Sequence, residues 1–141
     1  MKINYKRLII FILIPLLLGG LVGYLTVSNS SVDSIIPSWI FPVVWTILYI
    51  LMGISSYIVY EKELEVPKIY VIQLIWNLLW SFIFFTFKLY ALALLWIIIL
   101  FILVIKMIIE FRKTDKLAAY LQIPYAIWLI IAAVLNVLYL I

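Results

Sequence analysis

Residues 37–60 read PSWIFPVVWTILYILMGISSYIVY. Two prolines and two tryptophans open the stretch, as Pro37-Ser38-Trp39 and Pro42-Val43-Val44-Trp45. It then runs apolar for about 20 residues, the length a helix needs to cross a bilayer. Within the run, Trp45, Tyr49, Gly53 and Tyr57 recur at every fourth position and so lie along one helical face. A plain membrane anchor needs only Leu, Ile and Val. Trp, Tyr and Gly inside the bilayer imply a face that packs against something flat.

The rest of the chain has the same character. Of its 141 residues, 70% are hydrophobic and 11% charged. A soluble domain of this size could not bury so much apolar surface. The apolar runs are long and continuous, whereas a transmembrane β-barrel would show short alternating segments. The sequence therefore predicts an all-α polytopic membrane protein, a five-transmembrane-helix bundle forming a single domain over residues 1–141. The expected helices are at about 8–27, 39–60, 69–87, 90–109 and 118–141, each near bilayer length. The basic start followed by an apolar run imitates a secretory signal. No small-x-small cleavage site follows, so it reads as a retained first helix. Pro15 is placed to kink that helix. Gly19 and Gly23 form a GxxxG pair, which reads first as close helix packing and second as a ligand wall. The polar residues 28–38 read equally as a lid or as a connection.

Of the 10 basic residues, all but Lys88 fall at one end of the expected bundle. Lys2, Lys6 and Arg7 precede helix 1, Lys62 and Lys68 lie between helices 2 and 3, and Lys106, Arg112, Lys113 and Lys116 surround the 4–5 connection. The positive-inside rule puts that end and the N-terminus in the cytoplasm, with the C-terminus and residues 28–38 outside. The net charge of +4 is read as this topology, facing the lipid bilayer, and no nucleic acid partner is expected.

The chain has no Cys and no His, which removes thiolate chemistry and the commonest zinc and haem ligands, so no metal site is expected. Asp33, Glu61, Glu63, Glu65, Glu110 and Asp115 all lie in connections or at helix ends, which argues against proton relay through the membrane. Neither a phosphate-binding glycine loop nor a Ser/His/Asp set is present, which argues against a hydrolase.

Depth separates the remaining candidates. Trp39 falls at the outer interface, where Trp serves as an anchor. Trp45 lies about 9 Å deeper. On helix 3, Gln73, Asn77, Trp80, Ser81 and Phe84 share a face. On helix 5, Tyr125, Trp128, Ala132 and Asn136 do the same, and Trp96 lies at a similar depth on helix 4. Buried amides must face protein or a cavity. One reading is interhelical hydrogen bonding, worth about 0.6 kcal/mol per contact. The other is a cavity opening toward residues 28–38, shaped for a flat, largely apolar ligand.

Three motifs in order carry a resemblance: WIFPVVWTILYILMG at 39–53, QLIWNLLWSFIFF at 73–85 and LQIPYAIWLIIAAVLN at 121–136. With them the chain resembles the TspO/translocator protein family, the tryptophan-rich sensory proteins related to the peripheral benzodiazepine receptor of mitochondria. The resemblance implies an integral protein of the bacterial cell membrane, a homodimer, that binds porphyrins with protoporphyrin IX the usual example. It implies small aromatic ligands too, isoquinoline carboxamides and benzodiazepines, in a pocket under the first loop. By position, the family's ligand-lining residues fall on Trp45, Tyr49, Asn77, Trp80, Tyr125, Trp128, Ala132 and Asn136, and Trp39 is kept with them as a ligand-binding candidate. The implied function is light-dependent, photo-oxidative degradation of protoporphyrin IX, with Trp45 and Trp128 as candidate catalytic residues. Light and oxygen supply that chemistry and no cofactor is obligatory. The alternatives are a non-enzymatic porphyrin transporter or stress sensor, and a structural protein whose aromatic faces only pack helices. Haem is a further expected ligand; without His or Cys only Tyr remains for its iron, so metal-free porphyrin should bind about as well. The chain departs from the family at Ile36-Pro37-Ser38-Trp39, where relatives carry a fuller Pro-Pro-Gly-Trp run. Tyr139 is followed only by Leu140-Ile141, which leaves the family's proposed cholesterol motif incomplete. Leu51, Tyr57 and Lys62 make a looser match, and cholesterol is not the expected ligand.

Overall fold

The computed structural model describes residues 2–26 and 39–141. Residues 28–38, expected as a lid or connection, lie outside the described residues. Among the described residues, five helical stretches are long and apolar enough to cross a membrane and no strand occurs. The expected five-span, all-α membrane architecture is therefore the observed one. The elements are α1 (Tyr5–Thr26), α2 (Ile40–Glu63), α3 (Lys68–Ser81), a π-helical turn (Phe82–Thr86), α4 (Tyr90–Thr114), α5 (Lys116–Tyr120) and α6 (Ile123–Leu140).

Two expectations about element ends are corrected. The charged stretches 61–68 and 110–116 were expected as loops, yet α2 runs on to Glu63 and α4 to Thr114. Glu, Lys and Arg are good helix formers, so a helix leaving the hydrocarbon continues until something stops it. For α2 the stop is Leu64, left-handed at φ 60°, whose N–H donates to the Tyr60 carbonyl at 2.7 Å. The fifth span was expected as one helix over 118–141 and is two, interrupted at Leu121 and Gln122. Pro124 has no N–H for the Tyr120 carbonyl, and its ring crowds the preceding turn. The interruption releases the Ala118 carbonyl from its usual helical partner, because the Gln122 N–H goes to Ala119 instead. The Ser55 hydroxyl of α2 donates to Ala118 at 2.9 Å and satisfies it.

The spans close into a ring. α1 packs against α2 and α3, α2 against α5, α4 against both α6 and α3. Gly53 sets the α1–α2 crossing: a Cβ there would overlap the Ile12 Cα and the Phe11 carbonyl oxygen. α1 contributes little to the core, and Ile9, Leu13, Leu17 and Leu21 face outward. On the opposite side, Trp76 of α3 and Trp96 of α4 stack with ring centroids 3.8 Å apart at 9°. Each indole N–H donates to the other residue's carbonyl at 2.9 Å, which bolts the two helices together.

The basic helix ends meet at one end of the bundle. Arg7 pairs with Glu61, Lys62 with Asp115 and Lys113 with Glu110, and Thr114 Oγ1 donates to Glu63 at 3.3 Å. Asp115 has two roles there, because it also accepts the Ala118 N–H at 3.1 Å and so caps α5. The Lys62 ammonium and that N–H hold its carboxyl below the usual aspartate range.

Gly53→Ala should destabilise the protein by about 1–3 kcal/mol in reversible unfolding, because backbone must move. Gly20→Ala, whose Cβ meets nothing within 4 Å, should cause no loss of stability and should gain up to about 1 kcal/mol of helix propensity. Asp115→Ala should cost about 1 kcal/mol through the lost cap. In the parent protein the Asp115 contribution is complete above the ordinary aspartate pKa and disappears as pH falls through its lowered native value. An Asp115→Ala stability deficit that persists unchanged at acidic pH would contradict this assignment.

Candidate ligand-binding site

A groove of about 650 Å³ lies between α1, the start of α2 and the end of the third span. That size lies within the range of small-molecule sites. One wall is glycine: Gly19, Gly20 and Gly23 of α1. The facing wall is aromatic. Trp45 and Tyr49 stack with centroids 5.6 Å apart at 27°. Tyr49 reaches so far across that a Cβ on Gly19 would overlap its ring, whereas Gly20 and Gly23 face open space. Phe41 and Phe85 complete the inner side, with Trp39 and Tyr24 at the more exposed end.

Behind the aromatic wall lies a directed chain of hydrogen bonds. The Tyr49 hydroxyl donates to Asn77 Oδ1 at 2.8 Å, and Asn77 Nδ2 donates to the Tyr125 hydroxyl at 2.6 Å. Tyr125 in turn donates to Gln73 Oε1 at 2.9 Å, and Gln73 Nε2 to the Tyr70 carbonyl at 2.8 Å. All four side chains are buried. The chain joins α2, α3 and α6 at one level and holds Tyr49, and through it Trp45, in place. Trp45 also meets Tyr125 and Trp128 edge-on, at 6.2 and 6.4 Å.

The residues singled out in the sequence separate into groups. Trp39, Trp45 and Tyr49 line the groove. Asn77 and Tyr125 stand directly behind it in the hydrogen-bond chain. Trp80, Trp128, Ala132 and Asn136 are buried and do not line it. Phe41 touches Trp128 at 6.1 Å, and Phe85 touches Trp80 at 5.9 Å, so two groove residues sit against this inner group. Asn136 Nδ2 donates to the Tyr90 carbonyl at 2.8 Å. Three buried polar atoms of the inner group, Trp80 Nε1, Trp128 Nε1 and Asn136 Oδ1, have no hydrogen-bond partner among the described residues. Sequence reading passed over Phe41, Phe85 and Thr46, because apolar and small residues in an apolar helix carry no signal of their own. The π-helical turn at Phe82–Thr86, which helps to place Phe85, has no sequence signature either.

The TspO/MBR family profile matches residues 11–141. This chain belongs to the TspO/MBR family. Protein CrtK of Rhodobacter capsulatus is 37% identical over 106 residues, covering 71% of this chain and 66% of that protein. The tryptophan-rich protein TspO of Chlorobaculum tepidum is 36% identical over 106 residues, 71% of this chain and 67% of its own length. Translocator protein of Ovis aries is 32% identical over 107 residues, 71% of this chain and 63% of its own. The chain thus spans about two thirds of the length of these relatives. As a TspO/MBR member with five spanning helices, it is an integral membrane protein.

The hydrogen-bond chain can be tested by removing one link. Tyr125→Phe leaves both Asn77 Nδ2 and Gln73 Oε1 without their partner. It should destabilise the protein by about 1–2 kcal/mol, more than a typical single membrane hydrogen bond of about 0.6 kcal/mol. Its Trp fluorescence should also change, because Trp45 loses the support of Tyr49. An unchanged midpoint and spectrum would show that the chain does not position the wall.

Proposed function

We propose that the groove binds a tetrapyrrole, with protoporphyrin IX as the reference ligand, and that light drives oxidative breakdown of the bound ring. TspO/MBR membership supports a membrane ligand-binding or sensory role. The observation that carries the tetrapyrrole reading is the shape of the groove, an indole wall at Trp45 facing a glycine wall at Gly20 and Gly23. A broad flat ring fits between two such walls, because one offers a stacking face and the other has no side chain to obstruct it. The inner group supports the reading. Each buried donor or acceptor without a partner costs about 1–3 kcal/mol, and a ligand carrying both donors and acceptors would recover that cost. Rotation of Phe41 and Phe85 would extend the groove to Trp128 and Trp80. Isoquinoline carboxamide and benzodiazepine-type ligands, which are flat and aromatic, would compete for the same space.

In this reading light excites the porphyrin and the excited ring activates dioxygen. Both oxygen atoms add across a methine C=C bond, the bond between those carbons breaks, and two carbonyl groups form. The atoms and electrons balance without a further reductant. The protein holds the ring, with Trp45 in contact with it and Trp128 behind Trp45. A second reading, a porphyrin carrier or sensor that leaves the ligand intact, draws on the hydrogen-bond chain. That chain connects the groove residue Tyr49 to α3 and α6, so ligand contact with Tyr49 would be felt in both helices.

The test is a titration of protoporphyrin IX into the purified protein, in the dark and then under light, followed by Trp fluorescence and porphyrin absorbance. Dark binding should saturate, and Trp45→Phe should weaken it roughly fivefold, equivalent to about 1 kcal/mol of aromatic contact. Illumination should bleach the bound porphyrin faster than the free one, more slowly in Trp45→Phe and Trp128→Phe. Saturable binding without faster bleaching would select the carrier or sensor. Absence of saturable binding would reject the tetrapyrrole reading.

A further inference from the structure

Apart from the groove, one fully buried side chain has nothing to bond. Gln122 is 0% exposed, and neither Nε2 nor Oε1 of its carboxamide has a hydrogen-bond partner among the described residues. It sits at the interruption between α5 and α6 with its backbone occupied. Its N–H donates to the Ala119 carbonyl at 3.1 Å, and its carbonyl accepts the Ala126 N–H at 3.3 Å. Other buried polar groups flank it along the fifth span. Four residues earlier, Ser55 of α2 reaches the Ala118 carbonyl; three residues later, Tyr125 meets Asn77 and Gln73 of α3. The hydrogens of these hydroxyls are spent. Ser55 donates to Ala118 at 2.9 Å, its neighbour Ser56 to the Gly53 carbonyl at 3.1 Å, and Tyr125 to Gln73 at 2.9 Å. The serine oxygens can still accept, but none of the three hydroxyls has a hydrogen left for Gln122 Oε1.

We propose that Gln122 anchors a buried hydration site, in which a water molecule is held at the break in the fifth span. A guest there must bring a donor for Oε1 and an acceptor for Nε2, and water brings both. The guest is neutral. Asp115, the nearest carboxylate along the chain, is committed to Lys62 and to the Ala118 N–H, and Lys116 is exposed. An ion would therefore leave bulk water without gaining a countercharge. An unbonded carboxamide is costly in an apolar interior, whereas a water with several polar partners is a common fixture of such places. The second hydrogen of this water is free to go to the Ser55 oxygen, which links the start of α6 to α2. The water thus does for the Gln122 side chain what Ser55 does for the Ala118 carbonyl: it satisfies a polar group that the helix break leaves in the hydrocarbon.

The chain contains two glutamines, Gln73 and Gln122, so isotope-labelled glutamine gives two carboxamide signals, each assigned through bonds to its own backbone. Both side chains are buried. Gln73 is the internal control, because protein groups hold both ends of its carboxamide. The experiment uses the full chain in lipid nanodiscs and measures, by solid-state NMR, magnetisation transfer from water protons to each side-chain nitrogen. Transfer to Gln122 should be roughly fivefold faster than to Gln73 or more, because a bound water touches one carboxamide and not the other. The Gln122 and Ala126 amides should meanwhile stay protected from exchange into deuterated water, as their backbone hydrogen bonds require. Transfer to Gln122 no faster than to Gln73 would overturn the proposal. So would amides that exchange as readily as the carboxamide, since bulk solvent would then be entering through an opened break. The comparison needs no substitution and does not depend on a variant folding.

Discussion

A hydroxyl or carboxamide in the hydrocarbon has no water to bond, so each must find its partner within the protein. Tyr49, Asn77, Tyr125 and Gln73 meet that demand with one chain in which every donor points the same way, ending on the Tyr70 carbonyl. Because each link spans less than 3 Å, the heights and rotations of α2, α3 and α6 are specified together. Tyr49 then projects toward Gly19, Trp45 stacks on Tyr49, and the aromatic wall of the groove has its place. The wall is in this sense a consequence of a polar network that reaches the groove through Tyr49.

The groove also needs two helices that touch at one level and stand apart at another. Gly53 lets α1 and α2 come into backbone contact on one side of Tyr49. On the other side Gly20 and Gly23 present no side chain, while Trp45 and Phe41 keep α2 at a distance. Small residues thus play opposite parts along one helix pair, closing it where Gly53 meets the backbone of Phe11 and Ile12 and opening it where the facing surface is aromatic. The far side of the ring shows no such gap, since Trp76 and Trp96 are stacked and doubly hydrogen-bonded. α1, largely facing outward, packs mainly against α2 and touches α3 and the π-helical turn along its inner side.

The end bearing most of the charges is built differently. There Asp115 ends the approach from α4, caps α5 and pairs with Lys62 of α2. A few residues on, Pro124 interrupts the fifth span and Ser55 takes up the carbonyl thereby released. A helix break inside a membrane is tolerated where neighbouring side chains satisfy the freed backbone groups, and Ser55 does this.

Much of this was legible in the chain. The five spans, the membrane class, the charge segregation between the two ends and the polar faces of the third and fifth helices follow from composition and periodicity. So does the selection of Asn77 and Asn136 as amides unable to face lipid. These are local quantities, because the free energy of moving a residue from water to lipid depends mainly on that residue and its helical face. Which aromatic residues border open space is not local. Trp45 and Trp128 look alike in sequence, each three or four residues after a proline in an apolar span, yet one lines the groove and the other is sealed behind Phe41. That difference arises from the spacing between helices, which Gly53, Gly20 and Tyr49 set jointly across segments far apart in the chain. The sequence by itself determined what had to be buried; the tertiary structure decided where burial left room, because a cavity is a property of the distance between helices and belongs to no single one of them.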